Sequence, residues 1–447
     1  MKKIIYGCGN LSYSVIGQTI SNFFMFFATT VLGLSGTLVG VAIAISTVWD
    51  GISDTIIGYL SDNYPFLKMG KRNGYMLVAT IGMSIFNIAL WCVPSSLSDI
   101  VKFCWILVSL LLLETFNTMF ATPYMALGND IATSNNDRAK INASSTIFYL
   151  IGIIIPSILL YVFLPNTDLY PIGQLNPVGY VKIAFVTSLI CLLCGLICSI
   201  FTKSKNIMKF TKERFSFKVL FANFISAFRH NTLRKIIFGY VFTCMATVFL
   251  CSVGLHFFTY SLFYTSNQIT IALLSLIVGN ILSQPLWVKI AKRKGSVSAL
   301  VIAIIITVVS VFAVIIVFLF RIDLVNISFY IMIAILFICG VGSGGLYSLP
   351  STIYGDAIMS ICKNGDKNVA TFSGALTFAS NIANSITQLF VGVLLDIIKF
   401  DSQIQLQTLQ VQTGLALILF IGVQVSLILA CLIFSRVDKK KSKIQLT

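Results

Sequence analysis

Twelve stretches of about twenty or more mostly apolar residues, each long enough to cross a bilayer, recur along the 447-residue chain and restrict its fold more than any other feature. They fall at 9–34, 38–61, 74–96, 100–130, 141–165 and 179–202, then at 234–264, 268–291, 296–320, 326–355, 368–398 and 411–436. Hydrocarbon offers no hydrogen bonds to an open backbone, so segments of this length must be helices. The residues are 57% hydrophobic and 10% charged, against roughly 25% charged in a soluble domain. A single apolar core stops growing near roughly 250–300 residues, so lipid must cover the rest. The spacing predicts an all-α membrane protein of twelve transmembrane helices in two six-helix bundles, 1–202 and 235–447, the second ending in a basic tail.

Between the bundles, 203–234 interleaves Lys203, Lys205, Lys209, Lys212, Arg214, Lys218, Arg229 and Arg234 with Phe and Leu. This pattern suits an amphipathic surface segment held by anionic lipid headgroups. The formal charge of +16 therefore does not point to nucleic acid, because the basic residues gather at helix ends on one side. Of 31 Lys and Arg, only Lys102, Lys182, Arg321 and Lys399 fall on the opposite side. The positive-inside rule then predicts both termini in the cytoplasm and a multi-pass protein of the plasma (inner) membrane. The first apolar stretch runs on to Leu34 without a small-residue cleavage pattern after a short core, as expected of a retained helix. The eleven cysteines are scattered through apolar runs, and the Cys191/Cys194 spacing has no second pair to complete a metal site. They read as small packing residues.

The halves echo one another. GYLSDNYPFLKMGKRNGYML and PLWVKIAKRKGSVSAL both join the second and third spans of a half through a short basic turn with Gly and a Lys-Arg pair. Parallel six-span repeats are the organisation of major facilitator transporters, whose solute site lies at the midplane between halves. The expectation is a monomeric transporter of a small solute, not an enzyme.

Ionisable groups at membrane depth cost at least about 2.5–3.5 kcal/mol each and mark function. In VWDGISDTIIGYLSD, Asp50 and Asp54 stand one helical turn apart on the same face. Asp50 lies about 18 Å along the helix from Leu38, near the midplane. Two desolvated carboxylates repel unless a cation or proton sits between them. The pair is thus a candidate cation site for Na⁺, Li⁺ or H⁺, with Ser53 and Thr118 as further oxygen ligands, and no other cofactor is implied. No basic residue lies at a similar depth in the sequence. Glu114 faces either the cavity or a polar partner, and His256 is either a proton relay or a hydrogen-bonded helix residue.

The run YGCGN, VLGLSGTLVG, VWDGISDTIIGYLSD and GKRNGY resembles the N-terminal signature of the glycoside-pentoside-hexuronide cation symporters, the melibiose permease family. ATPYMALGNDI with DRAKI resembles that family's fourth helix and following loop, and YGDAI with FSGALTFASNIAN its tenth to eleventh helices. The resemblance implies that Asp50, Asp54, Ser53 and Thr118 hold the coupling cation, Ser53 standing where asparagine is usual. At the family's sugar-binding charges the chain reads Ser14, Ala121, Thr146 and Asn381, so the carboxylate grip on a sugar is lost. The expected cavity is lined by Ser14, Gln18, Trp49, Glu114, Ala121, Tyr124 and Asn381. It suits a modified glycoside, a peptide or a lipid-like solute rather than a simple hexose.

The reading is cation-coupled symport by alternating access, with Asp62, Lys71, Arg72, Arg138, Asp356 and Lys367 as breakable cytoplasmic bridges. A cation-antiport exporter would use the same aspartates. An intramembrane prenyltransferase also carries DxxxD in a helix, but it needs a second acidic motif, and SLIVGNILSQPLWVKI has no carboxylate.

Overall fold

The computed structural model describes residues 2–64, 66, 72–131, 135–202, 228–321, 323, 327–361, 368–402 and 404–437. Most of the basic segment 203–234, together with Lys71 and Lys367, lies outside the described residues.

Among the described residues there are twelve long helices: α1 (Lys2–Phe26), α2 (Gly36–Asn63), α3 (Asn73–Trp91), α4 (Asp99–Ile131), α5 (Asn135–Phe163) and α6 (Pro177–Phe201), then α7 (Asn231–His256), α8 (Ser266–Lys294), α9 (Ser296–Leu319), α10 (Ser328–Ile361), α11 (Asn368–Ile397) and α12 (Leu409–Ser435). Ten of them are long and apolar enough to cross a membrane by length and composition.

The chain divides into two compact units. The first contains α1 to α6 and also takes in Gln388–Asp396 and Asp401–Gln405. In it α1 packs on α5 and α6, α2 on α4, and α3 on α4 and α6. The second spans Ser216–Thr387, Ile397–Phe400 and Leu406–Thr447. There α7 packs on α12, α8 on α10, and α9 on α10 and α12. Among the described residues, four of the five pairings of the first unit, all but α1 on α5, thus recur moved on by six helices, so the repeat legible in the basic turns is also a repeat of packing.

The repeat extends to irregular backbone. α1 passes into a π-helical turn at Phe27–Val31 and α7 into another at Phe257–Ser261, 230 positions on. Each is followed by a short turn and a hydroxyl N-cap. Ser35 accepts from Leu38 N at the start of α2, and Thr265 forms a capping box with Gln268 at the start of α8. These caps occupy donors that hydrocarbon cannot satisfy. The turn before α2 uses Gly33 at φ +71°, where a side chain would be strained.

Polar side chains tie the first unit together. Asn87 of α3 donates to Ala184 O, Thr187 Oγ1 and Ser188 Oγ of α6 at 2.8–3.2 Å and accepts from Trp91 Nε1. Trp91 stacks on Tyr180, with Phe24 perpendicular to its ring and Phe27 tilted against it. Ser12 of α1 donates to Cys191 O, and Cys191 and Cys198 are buried, consistent with cysteine used for packing. Tyr6 and Tyr124 stack at 4.3 Å, each hydroxyl donating to the other's carbonyl. Asp396 accepts from the amides of Gly36 and Thr37 at 2.7 and 2.8 Å, a carboxylate on the positive end of α2. That approach requires glycine: a Cβ on Gly392 would stand 2.1 Å from Gly36 O.

In the second unit, Arg321 reaches Gln412 Oε1 at 2.9 Å and lies over the Phe318 ring, while Ser261 donates to Gln412 O. His256 is fully buried, its Nδ1 3.2 Å from Ser252 O in its own helix and its ring edge-on to Phe400.

Candidate cation site

The site is built by two helices of the first unit, α2 and α4. A four-residue step brings side chains of a helix back to the same face, so Asp50 and Asp54 form two steps on α2. α4 answers with Thr118 and Thr122 at the same spacing. Thr118 Oγ1 donates to Asp50 Oδ1 at 2.9 Å, and Thr122 Oγ1 donates to Asp54 Oδ1 at 3.2 Å. The result is a ladder of two carboxylate-hydroxyl rungs between the helices. Ser53 closes it from α2, donating to Thr118 Oγ1 at 3.1 Å and to Asp50 O at 3.0 Å. Ser53 is 3% exposed and Thr118 1%, while both aspartates are half-buried.

Four further residues surround the ladder. Glu114, one turn before Thr118 on α4, accepts from Asn117 Nδ2 at 3.2 Å and lies within electrostatic reach of Asp50 and Asp54. Trp49, adjacent to Asp50, is 37% exposed and donates to Thr115 Oγ1 at 2.8 Å. The chemistry of the ladder is that of hard oxygen: two carboxylates and three hydroxyls, the donor type that suits alkali and alkaline-earth cations. A hydroxyl donating to a carboxylate favours its charged form and still has lone pairs for a metal ion.

The structure thus brings together Asp50, Asp54, Ser53 and Thr118. It adds Thr122, which sequence reading passed over although the Thr118/Thr122 spacing copies that of Asp50/Asp54. The expected solute-site residues are placed differently from one another. Ser14 is buried on α1 against Gly152 of α5, with Leu11 O 3.5 Å from its hydroxyl. Tyr124 is 1% exposed and held by Tyr6, with Ser145 Oγ at 2.9 Å from its hydroxyl. Gln18 and Ala121 are half-buried on α1 and α4, and Thr146 is exposed on α5, bonded back to Asn142 O. Asn381 is half-buried on α11 in the second unit.

Of the expected cytoplasmic bridges, Arg72 pairs with Asp130 at 3.3 Å, joining the start of α3 to the end of α4 inside the first unit. Asp356 is half-buried on α10. The side chains of Asp62 and Arg138 lie outside the described residues.

The family described as MFS/sugar transport protein matches residues 5–439. An uncharacterized symporter of Synechocystis sp. is 29% identical over 183 residues, which cover 39% of this chain and 33% of that protein. A sodium-dependent lysophosphatidylcholine symporter of Danio rerio is 22% identical over 326 residues, covering 67% of this chain and 61% of that protein. In both cases the matched stretch spans less than two thirds of the relative. A crystal structure of a variant of the nucleoside transporter NupG shares the fold at a TM-score of 0.68 with 11% identity, covering 97% of this chain and 99% of its own.

Proposed function

We propose that this chain, which belongs to the MFS/sugar transport protein family, is a cation-coupled symporter whose coupling ion binds the Asp50/Asp54 ladder. As a member of that family it is a multi-pass membrane secondary transporter and not an enzyme. Cation coupling, solute and orientation are our reading.

One observation carries the coupling: each carboxylate of α2 accepts a hydroxyl of α4, giving five oxygen-bearing side chains in a membrane segment. Na⁺ suits that shell better than a bare proton, which needs one oxygen and no surrounding hydroxyls. The sodium dependence of the lysophosphatidylcholine symporter supports the same choice. Binding linkage is reciprocal, so whatever the cation adds to solute affinity the solute adds to cation affinity. Ordering of α2 against α4 by the ion is the route by which the solute site senses it. The excess of Lys and Arg at one set of helix ends supports a topology with both termini in the cytoplasm of a plasma (inner) membrane protein.

For the solute, the resemblance to the glycoside-pentoside-hexuronide symporters implies that Ser14, Ala121, Thr146 and Asn381 stand where that family carries sugar-binding charges. That substitution, with the lysophosphatidylcholine relative, favours an amphiphilic, lysolipid-like solute over a free hexose. The test is a thermal-shift screen of purified protein against lysophospholipids, glycosides and free sugars, with NaCl or KCl, followed by uptake into proteoliposomes. Lysolipid stabilisation that requires Na⁺, and its loss in Asp54→Asn, is the expected outcome. Na⁺-stimulated uptake that survives Asp54→Asn refutes the ion assignment. Stabilisation by a free sugar alone refutes the solute class. Solute-driven Na⁺ exit, measured by counterflow, would turn symport into antiport.

A further inference from the structure

We propose that Thr122 is a positioning residue for the coupling cation, holding the Asp54 carboxylate towards the ion and setting the Na⁺ affinity of the site. The proposal rests on the cation-coupled reading above and deepens it.

A threonine in a transmembrane helix has a default use for its proton, which is the carbonyl one turn back. Here Thr19, Thr47, Thr80, Thr115, Thr307 and Thr387 all follow it, donating to the carbonyl four residues earlier at 2.7–3.0 Å. Thr118 and Thr122 do not. Both hydroxyls cross to α2 and donate to an aspartate. The methyl of Thr122 faces Gly58 of α2, one turn beyond Asp54: Thr122 Cγ2 would lie 3.5 Å from a Cβ there, so it packs on α2 where no side chain intervenes. With the methyl against Gly58, the hydroxyl points to Asp54.

The next residue of α4 is Pro123, which cannot donate to the Met119 carbonyl. The backbone at Thr122 is therefore held less firmly by its own helix, and the cross-helix bond contributes correspondingly more to its position. A carboxylate fixed through one oxygen presents the other in a single direction. That is what a site needs to hold a small cation against the pull of water. Asp50 is fixed in the same way by Thr118, itself held by Ser53, and Asp54 is met on its own rung by Thr122, with Thr118 also reaching it.

The test uses purified full-length protein in lipid nanodiscs and ²²Na⁺ binding, which needs no knowledge of the solute. Thr122→Val keeps the shape and removes the hydroxyl. A hydrogen bond to a charged group is lost, and the Na⁺ dissociation constant is expected to rise by about ten-fold or more. Thr122→Ser restores binding to within about three-fold of the parent. Thr47→Val, which removes a back-bonded hydroxyl from α2, leaves it unchanged. The melting midpoints of parent and Thr122→Val in KCl are expected to agree, so a general loss of structure would be seen. Should Thr122→Val not yield folded protein, Thr122→Ala carries the same comparison with Thr122→Ser. Equal Na⁺ affinity in parent and hydroxyl-free variant, with binding lost in Asp54→Asn, overturns the role of Thr122 and leaves the ion site standing. Binding that survives Asp54→Asn, or a parent that takes up no ²²Na⁺, overturns the underlying reading.

Discussion

Replacing Thr118 by valine separates ion binding from folding. The substitution conserves volume at a position 1% exposed, so no cavity opens and no transfer term of the Leu→Ala kind applies. What disappears is the 2.9 Å bond to Asp50 Oδ1 and the acceptor at 3.1 Å from Ser53. Ser53 is not orphaned, because it keeps the Asp50 carbonyl at 3.0 Å. The protein without ion should therefore lose little stability, roughly the 0.6 kcal/mol typical of one interhelical hydrogen bond in a membrane. The ion-bound protein loses more. Asp50 forfeits a charge-assisted bond of about 1.5–3 kcal/mol, equivalent to about ten- to a hundred-fold in Na⁺ affinity. A ten-fold weaker site takes about 1.4 kcal/mol from the stabilisation that a fixed, saturating Na⁺ concentration confers. The assay is thermal unfolding in nanodiscs across a Na⁺ titration, with K⁺ holding ionic strength constant. Variant and parent should differ by only about 0.6 kcal/mol at zero Na⁺, and the gap should widen as Na⁺ rises. Curves that are offset equally at every Na⁺ concentration would mean that Thr118 only packs α4 on α2, and the ladder would lose its meaning as an ion site.

Three other outcomes are expected. Asn87→Leu removes three bonds from α3 to α6 and strands Trp91 Nε1, costing about 2 kcal/mol at the per-bond value for membranes; unfolding in SDS should show it, while ²²Na⁺ affinity stays at the parent value. Asp396→Asn weakens the cap on α2 by about 0.5–1 kcal/mol, and hydrogen exchange at Gly36 and Thr37 should quicken, whereas unchanged protection there would deny Asp396 that role. Gly392→Ala sets a Cβ against Gly36 O, a contact that must move the start of α2 away from 388–396; exchange across residues 36–40 should accelerate more than in Asp396→Asn, and equal rates would show that the approach is loose.

The bundle of helices was written in the sequence because its cause is local and one-dimensional. A run of twenty apolar residues has few alternatives in lipid, and the matching basic turns already marked two halves, whereas the +230 echo of the π turns and caps is seen only in the structure. Asp50 and Asp54 were legible for a similar reason, since a charge inside such a run is costly and a four-residue step fixes the face. Thr122 was not, because in hydrocarbon a threonine is ordinarily silent, its proton returned to its own helix. Only the packing of α4 beside Gly58 turns that hydroxyl towards a carboxylate. The same holds for Tyr124, an amphipathic side chain fit for a solute path by type, which the fold instead stacks on Tyr6 and buries. Composition and spacing determine which groups enter the membrane. Which hydroxyl meets which carboxylate is decided by the distance between two helices, a quantity that no residue carries by itself.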